Sequence, residues 1–130
     1  MRGEIYNEEK AKQLNNFSGL RFGNITPTDV DGLLDFVNKL FVLIEVKTDG
    51  IALPNGQRMA LERTCDALHK SGKMAALLIV VHNTPPEQQV DVANCDVIEI
   101  RLNDEIKTIK RQVKCKEAID RLIALAGLEY

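Results

Sequence analysis

The sequence predicts an α/β (α+β) fold, a mixed β-sheet flanked by α-helices, within a single domain spanning residues 1–130. Three observations carry that expectation. Residues 30–47 alternate apolar and polar with a period of two, as strands do. The run "MAALLIVV" at 74–81 has the length and β-branched content of a fully buried strand. Residues 54–72 and 103–128 instead carry apolar positions at helical spacing, so helices alternate with strands.

Composition sets outer limits. A chain of 130 residues, 45% apolar and 28% charged, suits one hydrophobic core. The net charge of −2 names no partner, because the distribution of charge matters more than its sum. No apolar run approaches the roughly 20 residues of a membrane span. The start "MRGEIYNEEKAK" is interrupted by acids and lacks the apolar core of a secretory signal. Cys65, Cys95 and Cys115 are scattered, with no CxxC, and read as reduced, packed thiols of a cytoplasmic protein.

In chain order, residues 3–15 are expected to be helical, with acids early and lysines late to match the helix dipole. Ala11 and Leu14 mark its inner face, with Glu4, Asn7 and Glu8 on or near it. "GLRFGNITP", within 18–27, reads as an irregular strand broken by glycines and ended by Pro27. Then Val30, Leu34, Phe36, Leu40, Val42, Ile44 and Val46 share one strand face, expected to be buried. The opposite face carries Asp31, Leu33, Asp35, Phe41, Leu43, Glu45 and Lys47.

With "VNK" at 37–39 as the loop, Phe36 opposes Leu40 and Asp31 opposes Glu45. A two-residue loop would turn Asp31 onto the apolar face, against the burial pattern. The following helix begins near Pro54 to Gln57 and stops at Gly72, with Leu61, Thr64 and Leu68 inward and Gln57 on the same stripe. "CDVIEIRL" at 95–102 is a shorter strand. Residues 103–128 are expected to form a helix whose core stripe is Ile106, Ile109, Val113, Ile119, Leu122 and Ile123.

The chemistry concentrates on the polar face of the hairpin. Two carboxylates about 5 Å apart repel by about 3 kcal/mol at an effective dielectric of 20. A favourable cross-strand pair returns at most about 1 kcal/mol. Asp31 opposite Glu45 therefore calls for positive charge, from Lys47 or, more completely, from a hard divalent cation such as Mg²⁺. The Val46 carbonyl would be a further oxygen ligand. A cation so held polarises a phosphoryl oxygen and lowers the pKa of a water, and Lys47 stabilises charge building on a phosphate. The competing reading of E-x-K on a strand is a solvated face.

These residues resemble the PD-(D/E)XK nuclease superfamily, in particular its small phage-type and Holliday junction resolvase-like members. The resemblance rests on "TDVDG", on "IEVK" in the next strand and on "GQRMALER" opening the following helix. It covers about two thirds of the chain. It implies a restriction endonuclease-like core and a metal-dependent endonuclease, using Mg²⁺ or Mn²⁺, that hydrolyses DNA phosphodiester bonds. Nicked or branched DNA is the candidate substrate, and the setting is the cytoplasm, or the host-cell cytoplasm for a phage-encoded member.

Carried over by position, Asp31 is the metal-binding aspartate, Glu45 the acid of the (D/E)XK element and Lys47 its lysine. Gln57 matches a glutamine found near the metal or the substrate backbone, and Glu8, with Glu4 behind it, matches a first-helix glutamate. Val30 stands where the superfamily usually has proline. Asp29 reads as a turn or supporting residue. Lys107, Lys110, Arg111 and Lys114 recur at helical spacing as a basic stripe that could track phosphates or simply face solvent. Arg58, Arg63, Lys70 and Lys73 are candidates for a basic rim. His69 and His82 read as a helix-end cation and a loop contact. The alternative function is a nuclease-like domain that binds nucleic acid or a protein without cutting. The apolar excess of "IDRLIALAGLEY" suggests a homodimer interface.

Overall fold

A computed structural model describes residues 14–108 and 112–130. Five strands form one mixed sheet in the order of the chain: β1 (Gly32–Phe36), β2 (Leu40–Thr48), β3 (Met74–His82), β4 (Asp96–Leu102) and β5 (Glu105–Thr108). Only β2 and β3 run parallel, and the other neighbours are antiparallel. The crossover between the parallel pair is helix α1 (Asn55–Lys70), and α2 (Cys115–Leu125) closes the fold. The mixed α+β class expected from the sequence is the one observed. The helix expected over 3–15 falls almost entirely outside the described residues, and Leu14, at its end, is exposed coil.

Strand alternation divides the apolar residues between two layers. Leu40, Val42 and Ile44 of β2 and Ala76, Leu78 and Val80 of β3 pack against Ala118, Ile119 and Leu122 of α2. On the opposite face Leu43, Ala75, Leu77 and Ile79 meet Leu61 and Cys65 of α1, with Leu53 beside them. The sheet is therefore the middle of three layers.

The hairpin has the predicted register: Phe36 pairs with Leu40 and Gly32 with Ile44. The loop is closed by Lys39 N–H donating to the Phe36 carbonyl at 3.0 Å and Asn38 N–H donating to Asp35 Oδ1 at 2.8 Å. Val37 and Asn38 both take positive φ, 49° and 63°. That conformation is strained for a β-branched residue, and the side-chain bond from Asp35 helps to hold it. The even face is less buried than expected. Val30 and Leu34 are exposed, because Val30 precedes β1 and β1 is the edge strand of the sheet.

Three other expectations are corrected. "GLRFGNITP" forms no strand beyond one bridge between Phe22 and Ile25, since Gly23 at φ 63° turns the chain at once. On α1 the inward residue is Cys65, while Thr64 is exposed and bonds back to the Ala60 carbonyl. The long helix over 103–128 is not formed. Asn103 takes φ 57° and makes a two-residue turn with Asp104, so Leu102 pairs with Glu105 and β5 folds back along β4. Asn103 is pinned there by two bonds to Ala75, N–H to carbonyl at 2.7 Å and Oδ1 from N–H at 3.1 Å. Asn tolerates the left-handed conformation such hairpins require, and this outweighs the helical periodicity.

Helix α2 accordingly begins only at Cys115, and Ile106, expected in its core stripe, is exposed on β5. Ile109 of that stripe lies outside the described residues, whereas Val113, Ile119 and Leu122 are buried as expected.

The strand expected over 95–102 is β4, and it carries a bulge. Its register shifts opposite Ile79 and Val80, which pair with Glu99 and Val97. Ile98 is the extra, exposed residue of this bulge. An inserted residue reverses the alternation, so Val97 and Ile100 both face α2 while Glu99 and Arg101 reach the side chains of α1.

Candidate active site

The site forms where β1 ends and β2 continues. Asp31 immediately precedes β1, and the register places it opposite Glu45. The ladder to β1 has stopped there, so Val46 N–H finds no strand partner and donates instead to Asp31 Oδ2 at 2.7 Å. The N–H and C=O of one strand residue point to the same side. The Val46 carbonyl thus also faces the end of β1, next to the carboxylates.

Glu45 is on the α1 face of β2, between the apolar layer of Leu43 and Ile79 and the first turn of α1. It is 2% exposed and the one buried charged residue among those described. Its Oε1 accepts from Gln57 Nε2 at 3.0 Å and lies 3.5 Å from Lys47 Nζ. Its Oε2 is buried with no hydrogen-bond partner. Burial raises the Glu45 pKa first, and the adjoining Asp31 carboxyl raises it further. Lys47 opposes the shift without cancelling it. The two acids thus sit too close and too dry to be comfortable as two anions.

Gln57 joins the parts. Nε2 donates to Glu45 Oε1 and, at 3.3 Å, to the Asp29 carbonyl, while Oε1 accepts from Lys47 Nζ at 3.4 Å. One amide thereby ties the segment ahead of β1, the buried acid and the lysine to helix α1. Asp29 enters through its backbone, consistent with the supporting role expected of it.

The donor set suits a hard cation. The oxygens it offers are those of the Asp31 and Glu45 carboxylates, one of them buried and lacking a partner, with the Val46 carbonyl on the same side of β2. Among the described residues no third His, Cys, Asp or Glu completes a three-ligand group with them. Glu8, the expected additional ligand, lies outside the described residues, as does Glu4.

The nucleic-acid-binding candidates are not brought together. Arg58 faces β4, where it donates to Glu99 at 2.6 Å and Glu62 at 3.5 Å. Its guanidinium is neutralised inside the protein. Lys107 belongs to strand β5, Lys110 and Arg111 lie outside the described residues, and Lys114 precedes α2, paired with Asp96 at 2.7 Å. Lys107 and Lys114 therefore do not share a helix face, since one is in a strand and the other precedes α2. Of the rim candidates, Arg63 is exposed and in no ion pair among the described residues. His82 accepts a bond from Thr84 N–H through Nδ1 at 3.1 Å, the loop contact expected of it.

Sequence reading missed the polar seam between α1 and β4. Arg101 donates to Glu62 at 3.2 Å and to Asp66 at 2.7 Å, in line with the Arg58–Glu99 pair. The i, i+4 spacing of Arg58, Glu62 and Asp66 was a usable signal for one helix face. The strand partners were hidden by the bulge at Ile98. The three cysteines are free and buried, and burial pushes the Cys65 thiol up to about 11. None has the lowered pKa of a nucleophile.

No described helix is long and apolar enough to cross a membrane. Set against protein-family models, curated proteins and solved structures, the chain matches none, so its function is read from its own geometry.

Proposed function

We propose that this protein is a metal-dependent endonuclease of PD-(D/E)XK type, hydrolysing phosphodiester bonds of DNA with Mg²⁺ or Mn²⁺. The observation that carries the reading is the buried, partnerless Oε2 of Glu45 beside Asp31, with Lys47 and the Val46 carbonyl at the same spot. A solvated strand face would not bury a carboxylate to 2% exposure next to a second one.

Each residue has a part. Asp31, Glu45 and Val46 would hold a divalent cation. Such a cation supplies polarisation of a phosphoryl oxygen and a lowered pKa for an attacking water. Lys47 keeps a positive charge where negative charge builds on the phosphate. Gln57 fixes the Lys47 ammonium by accepting from it and holds Glu45 Oε1 by donating to it, which limits the rotation of both. Held in this way, the groups lose little freedom on reaching the reactive geometry.

The test is incubation with supercoiled plasmid and with a four-way junction, in Mg²⁺, in Mn²⁺ and in chelator. Nicking or junction cleavage that depends on the metal and vanishes in Asp31→Ala and Lys47→Ala is the expected result. Cleavage that persists in either variant sinks the assignment. Calorimetric titration with Mg²⁺ addresses the non-cutting alternative, which predicts no heat at millimolar metal. A cytoplasmic setting follows from a DNA substrate together with three free thiols. Cutting both strands of a duplex would employ two copies, which light scattering at micromolar protein would detect, and a strict monomer removes that part of the proposal.

A further inference from the structure

A groove of about 480 Å³ lies beside the carboxylate site, between the chain ahead of β1 and the outer side of α1. Asp29 and Gln57 line it, and Gln57 also bonds Glu45 and Lys47, so the groove adjoins the site across one side chain. Its walls have a mixed character. Ile25 and Met59 are 71% and 49% exposed, large apolar side chains left open to solvent. Arg63 lines the far end. Among the described residues it is in no ion pair, whereas Arg58 and Arg101 on the β4 side of the same helix are neutralised by Glu62, Asp66 and Glu99. Asp29 is the one carboxylate on the lining, and it stands at the Gln57 end.

The geometry points to this groove as the path of one nucleic-acid strand leaving the cleavage site, with Arg63 taking a backbone phosphate and Ile25 and Met59 carrying bases. This inference rests on the nuclease reading for the identity of the site. Arg63 lies six residues beyond Gln57 on α1, a rise of about 9 Å along the helix axis. The flat faces of bases are apolar and pack on exposed side chains of this kind, while a guanidinium pairs with phosphate oxygens. Charge complementarity selects the occupant: the end of the groove away from the acids presents the uncompensated cation.

The experiment is fluorescence anisotropy of a labelled 12-nucleotide single strand in chelator, where no cleavage occurs. Arg63→Ala should weaken binding about fivefold at 0.1 M salt and lower the salt slope by about 0.7, the share of one phosphate contact on a single strand. Met59→Ala should weaken binding with the slope unchanged, because it removes a base contact. Lys39→Ala, exposed in the turn between β1 and β2 and outside the groove, should leave both quantities alone. Circular dichroism confirms that each variant is folded.

Equal losses in Arg63→Ala and Lys39→Ala, an unchanged slope in Arg63→Ala, or no binding by the wild type would each overturn the groove. These outcomes are separable from the plasmid assay. Metal-dependent cleavage lost in Asp31→Ala with unaltered binding in Arg63→Ala removes the groove and keeps the nuclease. Binding lost in Arg63→Ala without any cleavage does the reverse.

Discussion

The two faces of the sheet use the same strands for opposite purposes. On the α2 face, β2 and β3 present Leu40, Val42, Ile44, Ala76, Leu78 and Val80 to the apolar side of an amphipathic helix, and among the described residues no buried charged side chain lies in that layer. On the α1 face a smaller apolar layer is bordered by Glu45 at one end and by the Arg58–Glu99 and Arg101–Glu62–Asp66 pairs along β4. The dry face gains its stability from area removed from water. The mixed face gives some of that up, because a buried carboxylate loses hydration that its partners only partly replace. Glu45 costs stability where it stands, and that cost is the physical mark of a site selected for something other than folding.

The contrast can be broken at either face. The largest effect should come from Asp31→Ala or Lys47→Ala, each lowering plasmid cleavage by about 10³-fold, equivalent to roughly 4 kcal/mol of transition-state stabilisation. Urea unfolding of the same variants should show little change, which separates chemistry from folding. On the dry face Leu78→Ala should cost about 2–5 kcal/mol by urea denaturation, since Leu78 is fully buried and the cavity has rigid neighbours.

Arg101→Ala should cost less, about 1–3 kcal/mol. It leaves Asp66 without a partner, and Glu62 with Arg58 alone, at the seam where α1 meets β4. It should also slow cleavage, because the same helix carries Gln57. Slowed cleavage with unchanged stability would contradict a role for this seam in seating α1.

The smallest effect tests the sign of the Glu45 contribution. Its pKa is raised in the folded state, so the native protein holds the proton more tightly than the unfolded chain. Stability is then fully present below the ordinary carboxyl value, about 4.3, and falls as pH rises toward the raised one. Glu45→Gln should flatten that decline and leave the protein as stable as wild type or up to about 1 kcal/mol more so at pH 7, while cleavage is lost. Thermal melts at pH 4 and pH 7 measure both. A steeper fall in the variant would show that burial does not govern this carboxyl.

What could be read in advance followed local rules. Phe36 opposite Leu40 fixed the hairpin register, and register alone carried Asp31 to Glu45, because a one-residue slip would have reversed every side chain. Gln57 was legible as the residue heading the inner stripe of α1. What failed were places where one residue redirects the chain. Asn103 in a left-handed turn converted the start of an expected helix into β5, and with it dissolved the basic stripe of Lys107 and Lys114. The bulge at Ile98 moved Glu99 and Arg101 to the α1 face and turned Arg58 inward.

By itself the sequence determined the mixed α+β class, the hairpin and the meeting of the two acids, since periodicity and register are properties of neighbouring residues. Only the tertiary structure decided that Glu45 is buried with one oxygen unpartnered, that Gln57 reaches Asp29, Glu45 and Lys47 at once, and that Arg63 rather than Arg58 is left with a free charge. Those outcomes depend on which elements stack against each face and where the strands end. Burial and pairing are set by partners distant in the chain, which no local pattern specifies.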